Sequence, residues 1–549
     1  MKIALAQLNY HIGNFEENVR KIRKAIGDAK EQGADLVVFA ELAISGYPPR
    51  DFLEFGDFIS RCHEAALEIA KDCRGIAAIA GCPVVNPVMA GKDLCNAALF
   101  LEEGEIRFSY YKALLPNYDV FDEYRYFEPG RKFELLEFKG KKIAVTVCED
   151  LWDIGANPLY VLNPMDELIK GQPDLMINIA ASPFHYDQAR IRREVLTGNS
   201  KRYGLPLFYV NHVGAQTELL FDGGSVVIDA QGKVAEEMLY FEEDLRIFDL
   251  DKISTHPVSV QGPDWQESSP VALIHDALVM GIRDYFRKLG FRKAILGLSG
   301  GIDSAVTLAL AARALGNENI WAVLMPSEFS TDHSIKDAVD LARNLGCRYN
   351  IIPISPSFDA MEATLKPIFD KLPFDVTEEN IQSRLRGVIL MALSNKFGHI
   401  LLNTSNKSEA AVGYGTLYGD MNGGLSVLGD VYKTQVFDLA RHINRETEVI
   451  PVNTIIKPPS AELRPGQKDS DSLPDYTILD EILYQYIELR KGPKDLKDQG
   501  FDEAMVRRVL WMVNTNEYKR YQTPPILRVS PKAFGMGRRM PIVGRYLAI

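Results

Sequence analysis

Apolar positions in roughly the first half of the chain form short continuous runs, separated by longer stretches in which apolar residues recur every three or four positions. Short runs of this kind predict strands and the longer repeat predicts helices, so the pattern is typical of an α/β fold. The predicted strands include Lys2–Gln7, Leu36–Ala40, Ala77–Cys82, Ile143–Val147, Leu175–Ile179, Leu207–Val210 and Ser225–Ile228. The predicted helices include Asn18–Gln32 and Gln188–Tyr203.

A second alternating stretch begins near Val271, after a Pro-, Gly- and Ser-containing segment from Ser254 to Pro270 whose composition favours a linker. The 549 residues are therefore predicted to form a domain at 1–255, a linker at 256–272 and a domain at 273–549. The early strands predicted in the second domain are Ala294–Leu298, Ile320–Met325 and Ile400–Asn403. The composition of Lys457–Pro474 predicts a mobile loop.

Composition and charge narrow the class of protein. Hydrophobic residues make up 46% of the chain and charged residues 25%, as in globular proteins. The net charge of −12 argues against a protein that coats nucleic acid or a membrane surface. We expect no membrane span, because no apolar run is long enough to cross a bilayer, and no N-terminal targeting signal, because the first residues form a short predicted strand. The six cysteines are few and irregularly spaced, which favours reduced thiols and a cytoplasmic location. Those at positions 62, 73, 82 and 95 lack zinc-site spacing and are predicted to be core residues.

A Ser/Gly loop lies between a predicted strand and a predicted helix at Leu298–Ser304, with the sequence Leu-Ser-Gly-Gly-Ile-Asp-Ser. Small residues let backbone N–H groups approach an anion closely, and the helix N-terminus adds partial positive charge. The usual phosphate loop has a Lys-Ser or Lys-Thr pair after its last glycine, and this chain has Asp303-Ser304 there instead. The loop therefore predicts phosphate binding by backbone and hydroxyl groups, with an acid available for a metal.

This loop resembles the pyrophosphate loop of the N-type ATP pyrophosphatases, which split ATP to AMP and pyrophosphate. The resemblance implies a doubly wound parallel-sheet domain of the adenine nucleotide alpha-hydrolase-like kind. It also implies an ATP site built by Gly297, Leu298, Ser299, Gly300, Gly301, Ile302, Asp303 and Ser304.

Three polar residues of the first half each come just after a strand-like run: Glu41, Lys112 and Cys148. Strand ends are where open α/β folds assemble their sites. A thiolate at Cys148 could attack a carbonyl, and the Lys112 ammonium would favour the thiolate and then stabilise the oxyanion. Glu41 could act as general base for the thiol and then for water. This set needs no histidine, and we interpret His185 and His212 as structural or peripheral.

The three residues, in the contexts Phe-Ala-Glu-Leu, Tyr-Lys-Ala-Leu-Leu-Pro and Val-Cys-Glu-Asp-Leu-Trp, resemble the nitrilase superfamily. That resemblance implies an αββα sandwich that hydrolyses amides or nitriles through a thioester, with Glu123 in a positioning role. In the glutamine-hydrolysing branch, Tyr118 and Ser182 would contact the amino acid, and Glu149 and Trp152 would line the same pocket. That branch often has a basic residue where this chain has Gln188.

A nitrilase-like half joined to an ATP pyrophosphatase half resembles the glutamine-dependent NAD synthetases over nearly the whole chain. The reaction implied takes deamido-NAD⁺, ATP and L-glutamine to NAD⁺, AMP, pyrophosphate and glutamate. Matching segments imply that Thr404, Lys433 and Ser460 bind ATP. Others imply that Asn380, Arg384, Glu409 and Lys532 bind deamido-NAD⁺.

We assign Mg²⁺ to Asp303 and Glu409, because carboxylates beside a phosphate site suit that ion. The resemblance also implies an internal ammonia tunnel and a homo-oligomer, commonly an octamer, with no nucleic acid and no membrane among the partners. We take the predicted loop at Lys457–Pro474 as the element that couples the two sites.

Three alternatives stay open on the sequence alone. The chain could be another amidotransferase of the same plan that adenylates a different acceptor. It could be a non-catalytic assembly whose nitrilase half only binds or scaffolds. It could also be an amidohydrolase with a regulatory ATP-binding domain, which would hydrolyse its amide without a dinucleotide.

Overall fold

The computed structural model describes residues 1–155, 158–255, 269–467, 469–471, 473–544 and 546. Its contacts divide the chain into two compact units, Met1–Ser268 and Ser269–Ile549. Most of the linker predicted at 256–272 lies outside the described residues. Positions 270–272 belong to a helix instead, because Ser269 caps a helix that begins at Pro270, where a proline is well tolerated.

The first unit contains the following strands: β1 Lys2–Gln7, β2 Leu36–Phe39, β3 Ala77–Val85, β4 Leu94–Glu102, β5 Glu105–Tyr111, β6 Leu136–Phe138, β7 Lys141–Val147, β8 Leu175–Ile179, β9 Leu207–Val210, β10 Val213–Gln216, β11 Leu219–Asp222, β12 Val226–Ile228, β13 Val234–Glu237 and β14 Asp244–Asp249. Its helices are α1 Phe15–Glu31, α2 Gly56–Ala70, α3 Glu123–Tyr126, α4 Pro164–Leu168, α5 Gln188–Tyr203 and α6 Leu250–Thr255. Shorter 3₁₀ helices span Arg50–Glu54, Cys148–Leu151 and Ile169–Gly171.

Two six-stranded sheets form the middle of this unit, in the orders β14-β1-β2-β3-β4-β5 and β13-β12-β9-β8-β7-β6. Successive residues of β2 point to opposite faces of the first sheet. Val37 and Phe39 pack with helices α1 and α2, whereas Leu36 and Val38 pack against the second sheet. Because both faces are covered, these strands read as continuous apolar runs rather than alternating ones. The αββα sandwich predicted for this half is confirmed.

The second unit is built on the strands β15 Ala294–Gly297, β16 Ile320–Leu324, β17 Arg348–Ile351, β18 Ile400–Asn403 and β19 Leu425–Ser426. Its helices are α7 Pro270–Leu289, α8 Ile302–Leu315, α9 Asp332–Leu345, α10 Ser355–Phe369, α11 Val376–Phe397, α12 Lys407–Val412, α13 Lys433–Ile443, α14 Val452–Ile456, α15 Tyr476–Ile487, α16 Pro493–Asp498, α17 Glu503–Thr515 and α18 Glu517–Arg520. Short 3₁₀ helices span Asn317–Asn319 and Asp469–Asp471.

The five strands of the second unit pair in parallel, in the order β17-β16-β15-β18-β19. The direction of winding reverses between β15 and β18, and open parallel sheets bind ligands in the crevice at such a switch point. The loop predicted to bind phosphate directly follows β15, so it lies at this crevice. Across the described positions, every helix is too short or too polar to traverse a lipid bilayer.

Candidate active sites

The first site is a buried charge cluster at the strand ends of the first unit. Lys112 follows β5, and its Nζ lies 2.7 Å from Glu41 Oε1 and 2.8 Å from both carboxylate oxygens of Glu123. Lys112 and Glu41 are fully buried, and Glu123 is 5% exposed. A buried ammonium is stable only when carboxylates compensate the lost hydration, so the three side chains form one unit.

Three further groups, none of which the sequence patterns indicated, fix the carboxylates. Asn96 Nδ2 donates to Glu41 Oε1 at 2.7 Å, and the backbone N–H of Ala181 donates to Glu41 Oε2 at 3.0 Å. The Tyr47 hydroxyl donates to Glu123 Oε1 at 2.9 Å. With both of its oxygens bonded, the Glu41 carboxylate is held in one orientation.

Cys148 opens a 3₁₀ helix at the end of β7 with a φ of 41°, which places it on a sharp turn. The Asp150 carboxylate two residues later accepts the N–H groups of Val147, Ala113 and Leu114 at 2.9–3.0 Å. One buried carboxylate therefore ties the segment after Lys112 to the turn that carries the thiol. Asp150 was not among the predicted residues.

Burial sets the protonation of this site. Burial, reinforced by the charge of Glu41, raises the pKa of the Cys148 thiol well above its usual value, against the opposing effect of Lys112. Burial also raises the pKa of Glu123 to about 7. Burial would lower the pKa of Lys112, but Glu123 and Glu41 outweigh it and raise that pKa well above normal. The resting site thus holds a neutral thiol beside a charged ammonium.

The residues predicted to bind glutamine lie around this cluster. Tyr118 donates its hydroxyl to Glu149 Oε1 at 2.8 Å, and Glu149 directly follows the thiol. Gln188 Nε2 donates to Ser182 Oγ at 3.1 Å. Trp152 is partly buried at the end of the 3₁₀ helix.

Neither histidine is placed as a catalytic base. His212 is buried, and its Nε2 lies 2.6 Å from the backbone oxygen of Glu41. His185 Nδ1 accepts the N–H of Asp187 at 3.3 Å. Both contacts are with backbone groups, which agrees with the structural role predicted for these residues.

The second site is a cavity of about 310 Å³ above the parallel sheet. The predicted residues that line it are Gly297, Leu298, Ser299, Gly301, Ile302, Asp303, Ser304, Thr404, Glu409, Lys433 and Ser460. Gly300 shapes the loop instead, with a φ of +82° and its Cα packed onto the backbone of Ser334. Ser304 Oγ donates to Gly301 O at 3.0 Å and so closes the turn.

Lys433 bridges two acids at the edge of this cavity. Its Nζ lies 2.5 Å from Asp303 Oδ2 and 3.4 Å from Glu409 Oε1. Burial raises the pKa of Glu409 to about 8 despite Lys433. Asn406 Nδ2 donates to Asp303 Oδ1 at 2.8 Å and so orients the acid of the loop.

The residues predicted to bind the dinucleotide are spread more widely. Asn380 accepts the Thr416 hydroxyl at 2.7 Å, and Lys532 is partly buried in the C-terminal segment. Arg384 is exposed and donates to the backbone of Leu417, whereas Arg386, two residues on, lines the cavity and donates to Met325 O at 3.0 Å.

The loop predicted at Lys457–Pro474 also reaches the cavity. Glu462 accepts the Ser334 hydroxyl at 2.6 Å. Asp469 receives hydroxyl groups from Tyr476 at 3.0 Å and Tyr414 at 3.3 Å. The sequence did not single out these two acids, because two of the three contacts are with residues distant along the chain, Ser334 and Tyr414.

Comparisons with known proteins assign a family to each of the two units. The carbon-nitrogen hydrolase family model matches residues 2–257, and the NAD synthase model matches residues 274–523. A glutamine-dependent NAD(+) synthetase of Synechocystis is 45% identical over 98% of this chain and 98% of its own length. A glutamine-dependent NAD(+) synthetase of Thermotoga maritima is 42% identical over 100% of this chain and 99% of its own length. The structure of such a synthetase from Acinetobacter baumannii, solved with ADP, is 40% identical, covers 99% of both chains and has a TM-score of 0.78.

A carbon-nitrogen hydrolase unit and an NAD synthase unit on one chain define an enzyme that joins amide hydrolysis to carbon–nitrogen bond formation. At this level of identity over the full length, the chain belongs to the glutamine-dependent NAD(+) synthetase family.

Proposed function

We propose that the enzyme converts deamido-NAD⁺ to NAD⁺, with ATP as the activating substrate and L-glutamine as the source of ammonia. The observation that carries this proposal is that one chain holds both a buried Glu–Lys–Cys cluster and a Ser/Gly loop facing a cavity with two acids and a lysine. The first set suits acyl transfer, and the second suits phosphoryl chemistry.

In the first site, the Cys148 sulfur attacks the side-chain amide carbon of glutamine while Glu41 accepts the thiol proton. Glu41 then passes that proton to the amide nitrogen, and ammonia leaves from the tetrahedral intermediate. Water next attacks the thioester, with Glu41 again accepting the proton, and glutamate and the free thiol are regenerated. The raised pKa of the thiol means that proton removal accompanies attack rather than preceding it.

Lys112 serves this chemistry as a fixed positive charge. Its three short contacts to Glu41 and Glu123 hold the ammonium in place, and its raised pKa keeps it charged throughout the reaction. A preorganised cation in a water-poor site stabilises a developing oxyanion strongly because nothing must reorganise during the reaction.

In the second site, a carboxylate oxygen of deamido-NAD⁺ attacks the α-phosphorus of ATP, and pyrophosphate leaves. Ammonia then displaces AMP from the acyl adenylate to form the amide. The Ser/Gly loop and the N-terminus of α8 offer N–H groups to the phosphates, and Lys433 offers a positive charge at the edge of the same cavity. No side chain has to act as a nucleophile, so positioning and electrostatics supply the rate.

Mg²⁺ fits this second donor set. Mg²⁺ commonly binds through one or two carboxylates together with substrate phosphates, and Asp303 and Glu409 are two carboxylates that share Lys433 at the phosphate loop. When bound, the ion would spread the charge that develops on the leaving pyrophosphate.

We also propose a cytoplasmic location and a homo-oligomeric assembly. All six cysteines are buried and free, which suits a reducing compartment. Helices α10 and α11 and the turn between them expose Ile368, Leu372, Phe374, Val376 and Val388, an apolar group that a second copy of the chain could cover. Light scattering coupled to size-exclusion chromatography tests the assembly directly.

The proposed function is tested by detecting NAD⁺ and AMP by mass spectrometry. Wild type and Cys148→Ala are each supplied with deamido-NAD⁺ and Mg·ATP, with either glutamine or ammonium. We expect the wild type to use both donors and the variant to use only ammonium. If neither protein forms NAD⁺ from either donor, the proposal is wrong and another acceptor must be sought.

A further inference from the structure

Three different elements supply the charged side chains at the edge of the second site. Asp303 lies in the first turn of α8, Glu409 lies in the first turn of α12, and Lys433 begins α13. These residues are far apart along the chain. Contacts between the three elements must therefore set the spacing of the charges.

Asn406 is the N-cap of α12, and its side chain is fully buried. Its Oδ1 accepts the N–H of Glu409 at 2.9 Å, and the Glu409 carboxylate in return accepts the N–H of Asn406 at 3.3 Å. These reciprocal bonds form a capping box, which fixes the first turn of a helix. They also orient the side chain of Glu409.

The amide nitrogen of Asn406 reaches a different element. Its Nδ2 donates to Asp303 Oδ1 at 2.8 Å. The contacts define the orientation of the amide, because a rotation by 180° would place its oxygen against the Asp303 carboxylate and its NH₂ group against the N–H of Glu409. One neutral side chain thus holds both acids.

Ser408 extends this arrangement to the lysine. Its hydroxyl oxygen accepts the backbone N–H of Lys433 at 2.9 Å. The Lys433 ammonium in turn lies between Asp303 and Glu409. The first turn of α12 therefore holds the start of α13 as well as the acid that follows the phosphate loop.

A neutral amide suits the position of Asn406. An amide N–H orients a carboxylate but leaves its negative charge, so the charge stays available to a cation. Two carboxylates at one site repel each other, and rigid contacts are needed to keep them at a fixed spacing. Mg²⁺ demands near-ideal octahedral geometry, so its binding is sensitive to the positions of its ligands.

We propose that Asn406 is a positioning residue that fixes the Asp303 and Glu409 carboxylates at one spacing, so that they bind a divalent cation together. Asn406 acts through these two acids rather than on a substrate. The inference rests on the part of the proposed function that concerns Mg²⁺ and ATP. Without the amide, Mg²⁺ and the nucleotide should support each other's binding less strongly.

Asn406→Ser separates the two contacts of this side chain. Serine caps helices about as well as asparagine, so α12 should still begin at the same place. The shorter serine side chain cannot cap the helix and reach Asp303 at once. Asn14→Ser is the matched control, because Asn14 caps α1 in the first unit and also donates its amide to a carboxylate, that of Glu17.

The measurement is the binding of α,β-methylene-ATP, which resists cleavage between its α and β phosphates, by isothermal titration calorimetry in saturating Mg²⁺ and in EDTA. We expect Mg²⁺ to tighten this binding in the wild type. The tightening should be about tenfold smaller in Asn406→Ser, because a hydrogen bond to a charged group is lost. Binding in EDTA and the Tm should stay close to the wild-type values, and Asn14→Ser should keep the full effect of Mg²⁺.

Three results would overturn this inference: the same tightening by Mg²⁺ in Asn406→Ser and wild type, no tightening in the wild type, or an equal reduction of the tightening in Asn14→Ser. An equal loss of binding with and without Mg²⁺ would also overturn it, since that pattern indicates a purely structural role. The proposed function is checked separately. A wild type that shows the expected effect of Mg²⁺ but forms no NAD⁺ from deamido-NAD⁺ and ammonium would overturn the proposed function alone.

Discussion

Gly300 offers a sharp test of the phosphate loop. Its φ is +82°, and a Cβ built at this position would lie 2.2 Å from the backbone oxygen of Ser334 and 2.8 Å from its carbonyl carbon. Real contacts of this kind are found beyond about 3 Å, and helix α9, which contains Ser334, cannot yield as a flexible side chain would. Gly300→Ala must therefore move the loop away from the helix.

The cost has two parts. A left-handed conformation costs an alanine about 1–2 kcal/mol relative to glycine. Relieving the overlap requires a shift on the order of 1 Å, and a displacement of this size at a catalytic site can lower the rate about a hundredfold. We expect kcat/KM for ATP to fall by about two orders of magnitude, with a smaller loss of folding stability.

The assay is pyrophosphate release with saturating ammonium and deamido-NAD⁺, which bypasses the first site. Gly492→Ala is the matched control in the same unit, because its φ is −78° and its nearest contact, at 3.7 Å, is the Asp495 carboxylate. If Gly300→Ala retains wild-type kinetics for ATP, or if Gly492→Ala is equally impaired, the role assigned to this backbone contact is wrong.

Three other predictions follow from buried groups. Lys407 lies fully buried between Asp430 and Glu488, so Lys407→Met should lower the free energy of unfolding by about 3–5 kcal/mol, as measured by urea denaturation. Burial raises the pKa of Glu123 from 4.5 to about 7, so between these values the folded protein retains a proton that the unfolded chain releases. The free energy of unfolding of the wild type, relative to that of Glu123→Gln, should therefore fall by about 3 kcal/mol as the pH rises from 4.5 to about 7. Parallel pH profiles of the two proteins would contradict this. A Cβ at Gly81 would lie 2.1 Å from the backbone nitrogen of Leu42, the residue that follows Glu41. Gly81→Ala should therefore reduce glutamine-dependent synthesis far more than ammonium-dependent synthesis. Gly27→Ala is the control and should change neither, because a Cβ at Gly27 would lie in open space.

Local patterns predicted several regular elements with the bounds that the structure has. Helix α5 and strand β18 have the predicted bounds, and β1, β8 and β9 do as well. Strand β4 was not predicted, although it is buried over most of its length, because Asn96 interrupts its apolar run. That asparagine donates to Glu41, so the feature that hid the strand also supports the charge cluster.

For the two arginines on helix α11, the sequence could not predict which one faces the cavity. Arg384 and Arg386 are two positions apart, so they project from nearly opposite sides of a helix, and nothing local distinguishes them. The fold turns Arg386 toward the cavity and leaves Arg384 exposed. Arg384 stays a predicted ligand of the dinucleotide, while Arg386 becomes an additional candidate for the nucleotide.

Both sites centre on one buried lysine between two carboxylates, but the geometry of the two clusters differs. Lys112 makes three contacts of 2.7–2.8 Å, whereas Lys433 lies 2.5 Å from Asp303 and 3.4 Å from Glu409. A symmetric, fully buried arrangement suits a charge that must stay fixed while an oxyanion forms beside it. An asymmetric one at a cavity edge suits a lysine that exchanges its carboxylates for phosphates once another cation balances the acids. The same residue types therefore form a symmetric, fully buried cluster in one unit and an asymmetric cluster at a cavity edge in the other.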